Sequence, residues 1–290
     1  MEITRRDALK TAGLTAMAAG LPEAGMAQMA QPQIIKPTKL RITQSVCQWC
    51  YRQLALPDFF KGVADSGLTV VDLLNEEQWT QAKDYGLHCS MGYAGAGSIP
   101  DGLNDPKNHD LIVEAMTKTI PKAKRDGVPN LIVFFGNRKG MADADGIKNS
   151  IACLNRVKGV AEDNGITVCV ELLNSKVDHK DYMGDRTPYG AEIIRAVNSP
   201  HVKLLYDIYH MQIMEGDVIR TIRTYKDAIG HYHTGGVPGR HELDATQELN
   251  WPAVTQAIID TGFKGFMAHE FIPVRDPLTS LREAIALCDV

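Results

Sequence analysis

Short apolar or β-branched runs alternate with longer stretches of helical periodicity from Leu40 to the end of the chain, and this alternation constrains the fold more than any other feature. Strands are expected at Leu40–Ser45, Thr69–Leu73, Leu87–Met91, Asn130–Phe135, Thr167–Leu172, Val202–Asp207, Ile229–Thr234 and Gly265–Glu270. Helices are expected at Pro57–Ala64, Glu76–Tyr85, His109–Asp126, Asp143–Asn164, Tyr189–Val197, Asp217–Tyr225, Trp251–Asp260 and Pro277–Leu287. Prolines near helix starts and glycines after helix ends punctuate the pattern. Eight βα units in about 250 residues predict an α/β fold, a single (β/α)8 TIM barrel over residues 40–290. A doubly wound sheet would usually carry a glycine-rich turn after its first strand, where this chain has Ser45-Val46-Cys47-Gln48-Trp49-Cys50.

Residues 1–27 read differently. A charged start containing Arg5-Arg6 leads into the mildly apolar stretch Thr11 to Leu21 and then Gly25-Met26-Ala27. That order is the order of an export signal, and the paired arginines resemble the twin-arginine class, whose receptor reads an address. The expectation is a cleavable twin-arginine signal over 1–27, a linker over 28–39 and a periplasmic destination. No stable membrane anchor is expected, because the apolar stretch falls short of the roughly 20 residues that a spanning helix needs. Charge narrows the partners further. Lys+Arg 31 against Asp+Glu 35 gives a net charge of −4, which offers no field for nucleic acid. Six dispersed cysteines require no disulfide framework, and Cys47 and Cys50 form a lone CxxC that reads as ordinary thiols.

Barrel chemistry sits where the C-terminal strand ends converge. The last four expected strands end in Glu171, Asp207, His231-Tyr232-His233 and His269-Glu270. Three carboxylates converging on one rim, beside an imidazole, would repel one another and resist ionising unless a divalent cation relieved the repulsion. Mostly hard oxygen donors suit Mn²⁺ or Mg²⁺, with Co²⁺ or Zn²⁺ able to substitute. Period two places His231 and His233 on one side, and His233, nearer the mouth, is the expected ligand. His269 should face the helices as a satisfied buried imidazole.

The run Tyr206-Asp207-Ile208-Tyr209-His210-Met211-Gln212-Ile213-Met214-Glu215-Gly216 closely resembles the hydroxypyruvate isomerase family, within the wider xylose isomerase-like barrels. Glu171-Leu172-Leu173-Asn174, Gly230-His231 and His269-Glu270-Phe271 fit the same pattern in order. The resemblance implies one divalent metal held by Glu171, Asp207, His233 and Glu270, with Glu171 and Glu270 also moving protons. It implies substrate contacts from His210 and Arg240, and the arginine could grip a carboxylate with two parallel hydrogen bonds. His88 on the third strand and Trp49 beyond the first are further candidates for the pocket lining. The chain departs from many relatives at Thr234-Gly235-Gly236, where they continue Ala-Asp, and Ser175 to Gly184 looks like a lid. Gly92 to Ser98 reads as flexible backbone, and the Gly235-Gly236 turn keeps a phosphorylated substrate open.

The function expected is therefore interconversion of a ketone and an aldehyde in a small hydroxyacid or sugar, as hydroxypyruvate to tartronate semialdehyde, through an enediolate. Ketose 3-epimerisation is the alternative. Readings of another class are an exported carbohydrate-binding protein with an inactive pocket and an endonuclease IV-like phosphodiesterase, the latter disfavoured by charge. A homo-oligomer is left open.

Overall fold

The computed structural model describes residues 37–290. The proposed signal, and all but the last residues of the proposed linker, lie outside the described residues. Eight strands, β1 (Thr43–Val46), β2 (Val70–Leu74), β3 (His88–Tyr93), β4 (Asn130–Phe134), β5 (Thr167–Leu172), β6 (Val202–Asp207), β7 (Ile229–Thr234) and β8 (Phe266–His269), alternate with helices. These are α1 (Leu56–Asp65), α2 (Glu76–Gln81), α3 (His109–Asp126), α4 (Asp143–Asn164), α5 (Thr187–Val197), α6 (Ile208–Met214), α7 (Val218–Tyr225), α8 (Trp251–Asp260) and α9 (Pro277–Cys288).

Every strand pairs in parallel with its neighbour, in the order β1-β8-β7-β6-β5-β4-β3-β2. A single parallel bridge between Cys47 and Asp72 joins β1 to β2 and closes the barrel. The strands are buried on both faces, which is why they read as near-continuous apolar runs. Phe59, Phe60, Trp79, Trp251 and Leu281, all buried, fill the layer between barrel and helices. No helix among the described residues is long and apolar enough to cross a membrane.

Local chemistry sets the boundaries. Gly86 (φ 72°) and Gly127 (φ 79°) end their helical segments in the left-handed conformation, which costs a residue without Cβ little. Asp276 accepts from Thr279 N at 2.8 Å and caps α9, and Asp207 accepts from His210 N at 3.1 Å and caps α6. The first strand begins three residues later than its apolar run, at Thr43. Leu40 adopts φ 51°, and its N–H, like those of Thr38 and Lys39, is taken by the Asp289 carboxylate at 2.6–3.2 Å. Thr38 and Lys39 are thus clasped to the end of the barrel rather than acting as a free tether. Helix α6 is additional to the expected eight.

Candidate functional site

The register of β5 to β8 brings the quartet together. Asp207 lies opposite His233 across β6 and β7, and His233 lies opposite Ala268, two residues before Glu270. The Glu270 N–H binds Thr234 O at 2.8 Å, so this residue continues the line of β8 one step beyond its last ladder pair. Ligand atoms of Glu171, Asp207, His233 and Glu270 all lie within 4.8 Å of one another, and all four residues are buried. His233 Nδ1 stands 2.8 Å from Glu270 Oε2 and 3.4 Å from Glu171 Oε1, at ion-pair distance but without the alignment of a hydrogen bond. A buried nitrogen facing carboxylate oxygens without a hydrogen bond is the arrangement a cation would complete, and this donor set fits a hard divalent ion.

Around the quartet the electrostatics are uneven. Burial pushes the Asp207 carboxyl up to about 8 and raises Glu171 as well. Burial opposes ionisation of Glu270 too, but the Arg240 guanidinium, His233 and the Trp49 N–H hold it well below the usual carboxylate range. Trp49, in a short 3-10 turn over Gln48–Tyr51, donates Nε1–H to Glu270 Oε1 at 2.6 Å. His233 is itself raised despite its burial, because it is surrounded by acidic groups.

Arg240 borders the cavity, and its guanidinium also reaches into the acidic quartet. Its Nη2 reaches Asp207 Oδ2 at 3.2 Å and Glu270 Oε2 at 2.5 Å. Nε donates to Glu270 O at 3.2 Å, and Nη1 lies 3.1 Å from His210 Nε2. The guanidinium is also sandwiched by aromatic rings, 5.2 Å from the Trp49 centroid and 5.1 Å from that of Tyr209. Converging carboxylates attract the nearest permanent cation, so the arginine serves them first. The loop that delivers it is tight: a Cβ on Gly236 would meet Glu242 O at 2.2 Å.

His210 is fully buried, and burial together with Arg240 holds its pKa well below the ordinary value, so the ring is neutral. Its Nδ1 lies 2.7 Å from Asn174 Nδ2. His269 packs toward the helices between Gln44 Oε1 (2.9 Å) and Thr234 Oγ1 (3.0 Å), and burial lowers its pKa to about 3. His88 does not belong to the site. It opens β3 opposite Val70, the first residue of β2, and is exposed at the end of the barrel away from the quartet. As the second residue of its expected strand it already stands at the N-terminal end, away from the mouth where the chemistry sits.

A cavity of about 440 Å³ opens over the quartet. Glu171, Glu270, Arg240 and His179 form its polar side, while Leu73, Ile99, Ile132, Phe134 and Leu173 form an apolar wall. Gly97 and Ser98 reach it from the glycine-rich loop, and His179 from the segment expected to act as a lid. That segment is held down by Asp178, which accepts from Tyr209 OH at 2.8 Å and Asn174 Nδ2 at 2.6 Å. A larger cavity of about 670 Å³, lined by Ile194, Arg195, Lys203 and Tyr225, includes none of the quartet.

Sequence reasoning missed Asp72. It is fully buried on β2, with Oδ2 2.8 Å from His231 Nε2 and 2.9 Å from Ser90 Oγ. One acid inside Val70-Val71-Asp72-Leu73-Leu74 was the available signal. All six cysteines are buried and unpaired, and burial raises the Cys47 and Cys50 thiols well above their ordinary value.

Fold and site together define a TIM barrel with a buried acid-imidazole cluster at the C-terminal mouth. Residues 57–289 match the family model described as xylose isomerase-like TIM barrel. The chain belongs to that family. It is 35% identical over 112 residues to the putative hydroxypyruvate isomerase of Homo sapiens, covering 39% of this chain and 40% of that one. It is 32% identical over 114 residues to hydroxypyruvate isomerase of Escherichia coli, covering 38% and 44%. The similarity thus spans less than half the length of these relatives. A solved D-psicose 3-epimerase from Clostridium cellulolyticum superposes with a TM-score of 0.68 at 20% identity, covering 86% and 97%, a likeness of fold.

Proposed function

We propose that this protein is a divalent-metal-dependent isomerase that moves a carbonyl along a small hydroxy-carbonyl compound, as in hydroxypyruvate to tartronate semialdehyde. The observation that carries the reading is the buried quartet, three carboxylates and an imidazole whose ligand atoms all lie within 4.8 Å of one another. Glu171, Asp207, His233 and Glu270 would hold the ion, with Mn²⁺ or Mg²⁺ suited to the oxygen donors. When bound, it would supply positive charge against the negative charge that develops on substrate oxygens. Glu171 and Glu270 come from different strands and both border the cavity, so one can take a carbon-bound proton and the other return one. Arg240 and Trp49 fix the Glu270 carboxylate, while His210, fully buried and not part of the cavity lining, backs Arg240 from below rather than meeting the substrate. The names of the relatives, hydroxypyruvate isomerase among them, agree with this chemistry.

A second reading, ketose 3-epimerisation, uses the same proton transfer, and the cavity of about 440 Å³ favours it by exceeding the needs of a three-carbon acid. Incubating Mn²⁺-loaded protein in deuterated water with hydroxypyruvate and a panel of ketoses tests both. Deuterium should enter at the carbon next to the carbonyl, falling about 10²- to 10⁴-fold in Glu171→Gln and Glu270→Gln. Relocation of the carbonyl identifies isomerisation, and inversion identifies epimerisation. Absence of exchange with every substrate, despite bound metal, sinks the reading for that panel. We also propose export to the periplasm by the twin-arginine route on the strength of residues 1–27; replacing Arg5 and Arg6 by lysine should then leave the protein in the cytoplasmic fraction, and unchanged fractionation refutes it.

A further inference from the structure

We infer that Asp72 is a positioning residue for the metal site: it orients the His233 ring so that Nδ1, and not Nε2, faces the carboxylates. The inference rests on the metal reading above. Asp72 stands on the far side of His233 from the quartet, in the interior of β2, where a lone carboxylate is costly unless paired. Its two oxygens have different surroundings. Oδ2 accepts from Ser90 Oγ at 2.9 Å and lies 2.8 Å from His231 Nε2. Oδ1 has no hydrogen-bond partner and lies 3.6 Å from His233 Nε2.

A neutral imidazole that ligates through Nδ1 must carry its proton on Nε2, and a buried N–H needs an acceptor. Within reach of His233 Nε2 are Asp72 Oδ1 and, at 3.8 Å, Cys47 Sγ. In the structure Nε2 meets the Cys47 thiol, a weak acceptor, and the unpartnered carboxylate oxygen stands just beyond hydrogen-bond distance. The carboxylate is the stronger acceptor, and the N–H turns to it when Nδ1 ligates an ion. Backbone structure supports the placement, because the bridge between Cys47 and Asp72 closes the barrel at this point and limits the side chain's freedom. A carboxylate behind a ligating histidine fixes its tautomer and raises its basicity.

The test is calorimetric titration of chelator-treated full-length protein with MnCl₂, comparing wild type, Asp72→Asn and Ser90→Ala. Asp72→Asn should bind one Mn²⁺ about 10- to 100-fold more weakly, with circular dichroism of the metal-free variant checking that the barrel is folded. Ser90→Ala, which touches the same carboxylate but not the His233 ring, should bind within about threefold of wild type, an order of magnitude short of the loss that follows when the group behind a ligand is removed. Should Asp72→Asn fail to fold, long-range proton–nitrogen NMR of Zn²⁺-loaded wild type decides: a proton on His233 Nε2 supports the inference, and one on Nδ1 overturns it. Equal Mn²⁺ affinity in Asp72→Asn overturns it while leaving the metal reading intact. Two Mn²⁺ per wild-type chain, one of them lost in the variant, also overturns it by making Asp72 a ligand. A wild type that binds no cation refutes the metal reading and this inference with it.

Discussion

Arg240→Met in metal-free protein is the most informative perturbation of the site. The methionine keeps much of the apolar stem between Trp49 and Tyr209 but removes the charge that contacts both Asp207 and Glu270. Each of those contacts is a hydrogen bond to a charged group, about 1.5–3 kcal/mol, so the two amount to about 3–6 kcal/mol before other terms. Removing one member of a buried ion pair typically costs about 3–5 kcal/mol, and here the charge left uncompensated near neutral pH is that of Glu270, since Asp207, raised to about 8, is largely protonated there. For a domain of this size about 1 kcal/mol corresponds to 2–4 °C, so the melting midpoint at neutral pH should fall by about 6–20 °C. The sign of the pH dependence follows from Glu270, whose folded pKa is depressed. Its stabilisation is complete above the unfolded value of about 4.3 and is lost as pH falls through the lower folded value. The gap between wild type and variant should therefore be widest near neutrality and narrow below about pH 4. Mn²⁺ should narrow it too, because the ion replaces the missing cation. Scanning calorimetry at several pH values, with chelator or with Mn²⁺, measures all three effects. A metal-free variant melting within a degree of wild type at pH 7, or a gap that widens on acidification, refutes the reasoning.

Further outcomes are expected from other parts of the barrel. Gly92→Ala would place a Cβ 2.5 Å from Trp79 Cζ2 in a closed layer, so about 1–3 kcal/mol of stability should be lost in urea titration; an unchanged midpoint contradicts the packing described. His269 has a folded pKa of about 3 against about 6.5 unfolded, so the unfolded chain binds the extra proton and stability falls as pH drops across that window. The melting difference between wild type and His269→Gln should accordingly shrink from pH 6.5 toward 3, and a pH-independent difference would show that the ring is not buried neutral. Asp289→Ala frees the N–H groups of Thr38, Lys39 and Leu40, and protease cleavage near Lys39 should quicken while the global melt barely moves.

The sequence was most readable where periodicity and topology act together. β5, β6 and β7 occupy the residues expected of them, and reading only strand ends was enough to assemble Glu171, Asp207, His233 and Glu270. Information that depends on three-dimensional neighbours was not readable. His88, by contrast, was legible: it is the second residue of the expected strand Leu87–Met91, and the rule that barrel chemistry sits at C-terminal strand ends already placed it away from the mouth. Asp72 sits in an apolar run, and only the closed barrel shows which imidazoles it meets. The inward turn of Arg240 follows from a charge imbalance that exists only after the strands converge. Helix α6 spans Ile208–Met214, too short for its periodicity to emerge beside the motif it carries.

The three tryptophans divide by position in a way that makes the mouth optically visible. Trp79 and Trp251 are sealed in the layer between barrel and helices, whereas Trp49 is partly exposed beside Arg240 and Glu270. Collisional quenchers therefore reach one indole in preference to the other two. The change in quenchable emission on adding a cation or a candidate substrate reports occupancy of the mouth directly, without a label and without turnover.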